Sequence, residues 1–152
     1  MADQPRARRD SLIGLLLPLA DRSLLLPNVA VAELIDYQPG TGRDTTRPWD
    51  LGQIIWRDQP LTLLNFEAAC GAPSVLGERA RIVVLNALGD NGRRFIALLI
   101  QGIPRSCRLD AQLSYVDVPL APLELAAVQV GETVAHVPDL EGLERLLDSL
   151  QP

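Results

Sequence analysis

Apolar residues along this chain fall in short blocks, each closed by charged or turn-forming positions, a pattern of strands more than of long helices. Leu12–Leu19 and Ser23–Leu26 flank the charged break Ala20-Asp21-Arg22 and predict a hairpin. The stretch VAVAELIDY, ending at Tyr37, alternates as a strand. Leu51–Trp56 and Leu61–Phe66 follow on either side of Arg57-Asp58-Gln59-Pro60. Arg81–Leu88 and Arg93–Ile100 predict another hairpin, turned by Asp90-Asn91-Gly92. The blocks LLL and ALLI do not alternate, so those strands are expected to be buried on both faces. LLLPLADRSLLLPNVAVAEL and VVLNALGDNGRRFIALLIQG repeat one order, strand, polar turn, strand, and predict two small antiparallel barrels sharing a core.

Between these blocks lie irregular stretches. Residues 38–50, QPGTGRDTTRPWD, predict an exposed loop in which Pro48 starts a short helical turn ending before Gly52. Residues 67–79 are irregular around Gly71, Pro73 and Gly77, and a loose stretch runs from Gly102 to Pro122. The end is different. From Asp139 onward, leucines at 140, 143, 146, 147 and 150 recur at helical spacing. Pro138 breaks the preceding strand and Asp139 is placed to cap the helix. Glu141 and Arg145 stand four apart on its polar side, and its apolar face is expected to pack on the barrels. Residues 1–10 predict a flexible tail, and residues 11–150 one domain.

Composition narrows the function. Apolar residues make up 47% of the chain, which excludes a disordered polymer. All 14 basic residues are Arg, so no P-loop, Schiff-base or kinase-type lysine exists. Residues 109–152 carry one Arg against eight acids, a net of −7, while the remainder nets +2. An acidic half with 4% aromatic residues overall suits neither phosphate backbones nor base stacking, so nucleic acid is not an expected partner. Arg6, Arg8 and Arg9 before Leu12–Ala20, with Ala30-Val31-Ala32 beyond, mimic a secretory leader. Asp10, Pro18 and Asp21-Arg22 interrupt that pattern, and the hairpin explains the same residues. No apolar run reaches the ~18 residues of a membrane span.

Candidate chemistry is sparse. Cys70, Cys107 and the single His136 are too few for a metal cluster or a disulfide framework. Arg105 and Arg108 flank Cys107 and would favour its thiolate, yet no C-x-x-C partner accompanies it. His136, in T-V-A-H-V-P-D, has no nucleophile elbow to serve and reads as a strand histidine. The glycines of G-D-N-G fit a turn and not a phosphate cradle. No catalytic, cofactor or metal residue is therefore assigned. Arg57 is different. It follows Trp56 in a four-residue break between two apolar strands, and its residue type fits an interface anchor and a plain solvated turn arginine equally.

Val31, Glu33 and Tyr37 form V-x-E-x-x-x-Y, and Gly52 precedes Arg57 in G-x-x-I-W-R-D. This resembles the CheW family of chemotaxis coupling proteins, in which a valine/glutamate strand precedes a turn of type G-x-x-N-L-R-G. The segment IQGIPRSCRL resembles the family's later V-D-G-V-x-x-V-x-x-L, matching Gly102 and Leu109, and Val134–Leu147 resembles its closing strand and helix. The similarity runs over about residues 12–148. It implies an all-β fold of two five-stranded antiparallel SH3-like barrels sharing a core, with a C-terminal amphipathic helix. It implies a cytoplasmic, non-enzymatic adaptor with no cofactor, coupling the cytoplasmic tips of methyl-accepting receptors to the regulatory domain of a CheA-type histidine kinase. Val31, Glu33, Tyr37, Gly52, Trp56, Arg57 and Gly102 are its implied partner-binding residues. Ile55, Trp56 and Asp58 replace the family's Asn, Leu and Gly, Asn65-Phe66 replaces Asp-Leu, Gln101 replaces Asp, and residues 110–132 are short and lack a glycine-rich turn. These departures point to a divergent member, such as the ChpC type of systems governing type IV pili and twitching motility. The competing reading is a stand-alone β-barrel module for a peptide or small ligand.

Overall fold

The computed structural model describes residues 13–88, 94–109 and 113–150. The expected tail, the start of the first strand at Leu12 and the Asp90-Asn91-Gly92 turn lie outside the described residues. Eleven strands are described: β1 (Ile13–Pro18), β2 (Ser23–Pro27), β3 (Val31–Asp36), β4 (Asp50–Trp56), β5 (Gln59–Leu64), β6 (Arg81–Asn86), β7 (Phe95–Ile100), β8 (Arg105–Arg108), β9 (Ser114–Tyr115), β10 (Glu124–Val130) and β11 (Thr133–Pro138). Helix α1 (Phe66–Ala69) follows β5, and α2 (Leu140–Asp148) closes the chain. The strands form a sheet of order β8-β1-β2-β11-β10-β9 and a second of order β3-β6-β7-β5-β4.

This is the expected all-β architecture with a terminal helix, and it differs in two details. The first sheet has six strands, because the two-residue β9 pairs with β10 through Val128↔Tyr115 and Gln129↔Ser114. Each sheet also holds one parallel pair, β2 with β11 and β5 with β7. Those partners are distant in sequence, so no hairpin fixes their relative direction.

The non-alternating strands have a direct structural cause. In β6, Val83 and Leu85 face a central core while Ile82 and Val84 face the interior of the second barrel. In β7, Ile96, Leu98 and Ile100 face the centre, and Ala97 and Leu99 the barrel. The leucine blocks of β1 and β2 divide likewise, Leu17, Leu24 and Leu26 to the centre, Leu16 and Leu25 to the first barrel. A strand shared by two cores has no polar face, hence no period of two.

Helix α2 seals the central core with Leu143 and Leu147. Asp139 caps it, its Oδ1 accepting from the Gly142 N–H at 3.0 Å. The buried Glu144 carboxylate accepts the Leu88 N–H at 2.8 Å, tying the helix to the end of β6. The sequence missed α1, where a strand was expected to run to Phe66. Asn65 ends that strand by capping instead, its Oδ1 accepting from Ala68 N–H at 3.1 Å, and Phe66 turns into the core. Pro48 does lie in a turn, where Asp50 N–H bonds to Arg47 O at 3.0 Å, but β4 begins at once at Asp50.

The α1 residue Glu67 holds the β1–β2 turn. Its buried carboxylate accepts the Ala20 and Asp21 N–H groups at 3.1 and 2.9 Å. Burial pushes this carboxyl above its ordinary 4.5, whereas the Arg22 guanidinium holds Asp21 below its ordinary 3.8. A carboxyl raised on folding contributes stability that is fully present below about 4.5 and is lost as pH rises through the folded-state value. Glu67→Gln is therefore expected to cost more stability at about pH 4 than at about pH 7, by denaturant midpoints at each pH. An equal cost at both would show that Glu67 does not titrate differently on folding.

Candidate partner-binding site

Sheet order places β3 and β4 at the two ends of the second sheet, and that sheet curls until their side chains meet. Glu33 on β3 makes the junction. Its Oε1 accepts the Trp56 indole N–H at 3.0 Å and an Arg57 Nη2–H at 3.1 Å. The Arg57 guanidinium lies 4.6 Å from the centroid of the Trp56 ring, so one residue's charge rests on the other's π face. Phe95 meets the same ring edge-on at 4.6 Å. Trp56 is buried, whereas the Arg57 side chain is 67% exposed. The cluster thus combines a fixed base with a cation presented to solvent.

The turn that carries it is tight. Trp56 pairs with Gln59, leaving Arg57 and Asp58 as a two-residue loop with φ of +48° and +64°. Left-handed backbone at both positions matches the twist of the flanking strands, which is why Asn-Gly is the usual occupant. Ile55, 58% exposed, stands beside the turn, and its N–H donates to Gln38 Oε1 at 3.3 Å.

The other implied residues lie elsewhere. Val31 is half-buried against the central core, and Tyr37 half-buried against the second barrel's cluster. Gly102 follows β7, where a Cβ would come 3.2 Å from Pro18 Cγ, beside the Gln101 N–H to Pro18 O bond of 2.8 Å. Gly52 is buried with φ +95°, and a Cβ there would lie 2.7 Å from Thr41 O. That contact exists because Thr41 exchanges backbone bonds with Gln53, at 3.0 and 2.7 Å. Gly52→Ala is expected to cost about 1–2 kcal/mol and to loosen the Thr41–Gln53 pairing, read by denaturation and amide exchange. Full protection at Gln53 in that variant would contradict it.

Both cysteines are half-buried, and burial pushes both thiols up. Arg105 does favour the Cys107 thiolate as its position suggests, but desolvation outweighs it. His136 sits on β11 with Nδ1 3.0 Å from Glu124 Oε1, without hydrogen-bond geometry. Among the described residues no group of three or more His, Cys, Asp or Glu is placed to hold a metal, and no helix is long and apolar enough to cross a membrane. Sequence reading noted Asp58 and Ile55 only as departures from a motif. The sequence offered only a four-residue polar break, Arg57–Pro60, and it is the Trp56–Gln59 pairing that narrows it to Arg-Asp on left-handed backbone.

Comparison with known proteins agrees with this architecture. A family model described as CheW-like domain matches residues 14–147. The scaffolding protein TtCheW from Thermoanaerobacter tengcongensis superposes with a TM-score of 0.71 at 14% identity, over 91% of each chain. No curated protein matches the chain by sequence.

Proposed function

The chain belongs to the CheW-like domain family, a family of non-enzymatic scaffolds, and we propose that it couples methyl-accepting receptors to a CheA-type histidine kinase in the cytoplasm. The observation that carries this reading is the Glu33–Trp56–Arg57 cluster. Arg and Trp are the residue types that most often dominate binding at interfaces, and a guanidinium braced in advance loses little entropy on docking. Arg57 is braced from two sides, by a carboxylate and by a ring face. An adaptor needs rigid surfaces and no reactive group, and its two partners are coupled to the extent that each favours the same geometry.

The departures Ile55, Trp56 and Asp58 fall on one hairpin, at and just before its turn, which supports service in a specialised system, such as the one governing type IV pili and twitching motility. The test is titration calorimetry of the purified chain against the regulatory domain of its own organism's CheA-type kinase. One-to-one binding at about micromolar affinity or tighter is expected. Absence of heat with both proteins folded would overturn the kinase-coupling reading.

A further inference from the structure

We propose that Asp58 is the specificity-determining residue of this hairpin tip, and that it reads a cationic side chain on the partner's docking surface. This rests on the adaptor reading above and adds the chemistry of the partner.

The argument begins with the backbone. Asp58 occupies the second position of the two-residue turn with φ +64°, where glycine is the unstrained choice. An L side chain held there costs stability, and such positions persist where the side chain has a use. Nothing among the described residues supplies that use. Asp58 is exposed, and among the described residues it has no ion pair and no hydrogen bond from its carboxylate.

Charge at the tip gives the sign of the partner. Glu33 Oε1 already accepts from both Arg57 and Trp56. With Glu33 and Arg57 offsetting one another, the tip carries a net charge of about −1, and that charge sits on Asp58. Ile55, exposed on the same hairpin, offers an apolar side chain for a partner docked on the tip to cover, and such docking removes water from the Asp58 carboxylate. A carboxylate shielded in this way attracts a cation more strongly than one left in bulk water. The complementary surface therefore presents a guanidinium or ammonium next to an apolar patch. A partner built for a glycine at this position, with a carboxylate or a close backbone there, is repelled.

The experiment uses the full chain and the kinase regulatory domain, with two variants that separate charge from turn geometry. Asp58→Asn keeps a residue tolerant of left-handed backbone and removes only the charge. Asp58→Gly removes the charge and relieves the strain. Both are expected to weaken binding about tenfold, with a shallower salt dependence than the natural chain. Asp58→Gly should melt at a higher temperature while binding less well, an opposition that a merely structural role does not produce. Asp58→Asn binding within twofold of the natural chain would overturn this assignment and leave the adaptor reading intact. No binding by the natural chain itself would overturn the adaptor reading and this assignment with it.

Discussion

Arg57→Glu weakens association with the kinase regulatory domain by about 2 kcal/mol or more, with the fold unchanged, as expected for loss of an interface anchor. The substitution acts on three contacts at once. It removes the cation stacked on Trp56, removes the fork that pairs with Glu33, and sets a second carboxylate against that glutamate. The fold should tolerate this, because a pair with side chains 67% and 40% exposed contributes little to stability in water. Trp56 keeps its own bond to Glu33 and its contact with Phe95, so the barrel stays closed. Arg57→Lys should fall between the two, since it keeps the charge but has neither the planar fork nor the same stacking. Calorimetric titration with melting curves for each variant decides the matter. Unaltered binding by Arg57→Glu removes this residue from the interface.

How much of this was legible in the sequence depended on whether the signal was local. The β1–β2 hairpin is visible because Asp21-Arg22 interrupts two leucine blocks, and α2 because five leucines keep a period that no strand allows. Burial of both faces of β6 and β7 could be expected from unbroken apolar runs, although not which residue faces which core. The short strands β8 and β9 were invisible. Arg-Ser-Cys-Arg and Ser-Tyr hold one apolar residue each, too few to show an alternation, and they pair because β1 and β10 offer edges. Of the seven residues implied by the motif, Glu33, Trp56 and Arg57 form one cluster, although 24 positions separate Glu33 from Arg57. Curling of the sheet brings them together, and no local pattern encodes that curl. The same limit applies to Arg22 and Glu124, which are 102 positions apart.

That pair is the basis of the largest stability effect expected. Arg22→Ala should destabilise the protein by about 3 kcal/mol, the usual result of removing one member of a buried ion pair. The Glu124 side chain is only 2% exposed, and its Oε2 accepts from Arg22 Nη1 at 2.8 Å. Without Arg22, the carboxylate keeps the Ala121 N–H at 2.9 Å and the neighbouring His136, which is a cation only when protonated. Arg22 also chelates Asp21 through Nε and Nη2, at 2.8 and 3.0 Å, and lies 5.8 Å from the centroid of the Phe66 ring. It therefore joins the β1–β2 turn, α1 and the start of β10, three elements that no hairpin connects. Arg22→Met combined with Glu124→Leu should recover much of the loss, because apolar side chains of similar size need no compensating charge. Urea denaturation of the single and double variants checks both statements. A loss under 1 kcal/mol for Arg22→Ala would mean that water reaches Glu124 once the guanidinium is gone. Failure of the double variant to recover would place the value of this cluster in fixing the turn, through Asp21 and Glu67, and not in neutralising Glu124.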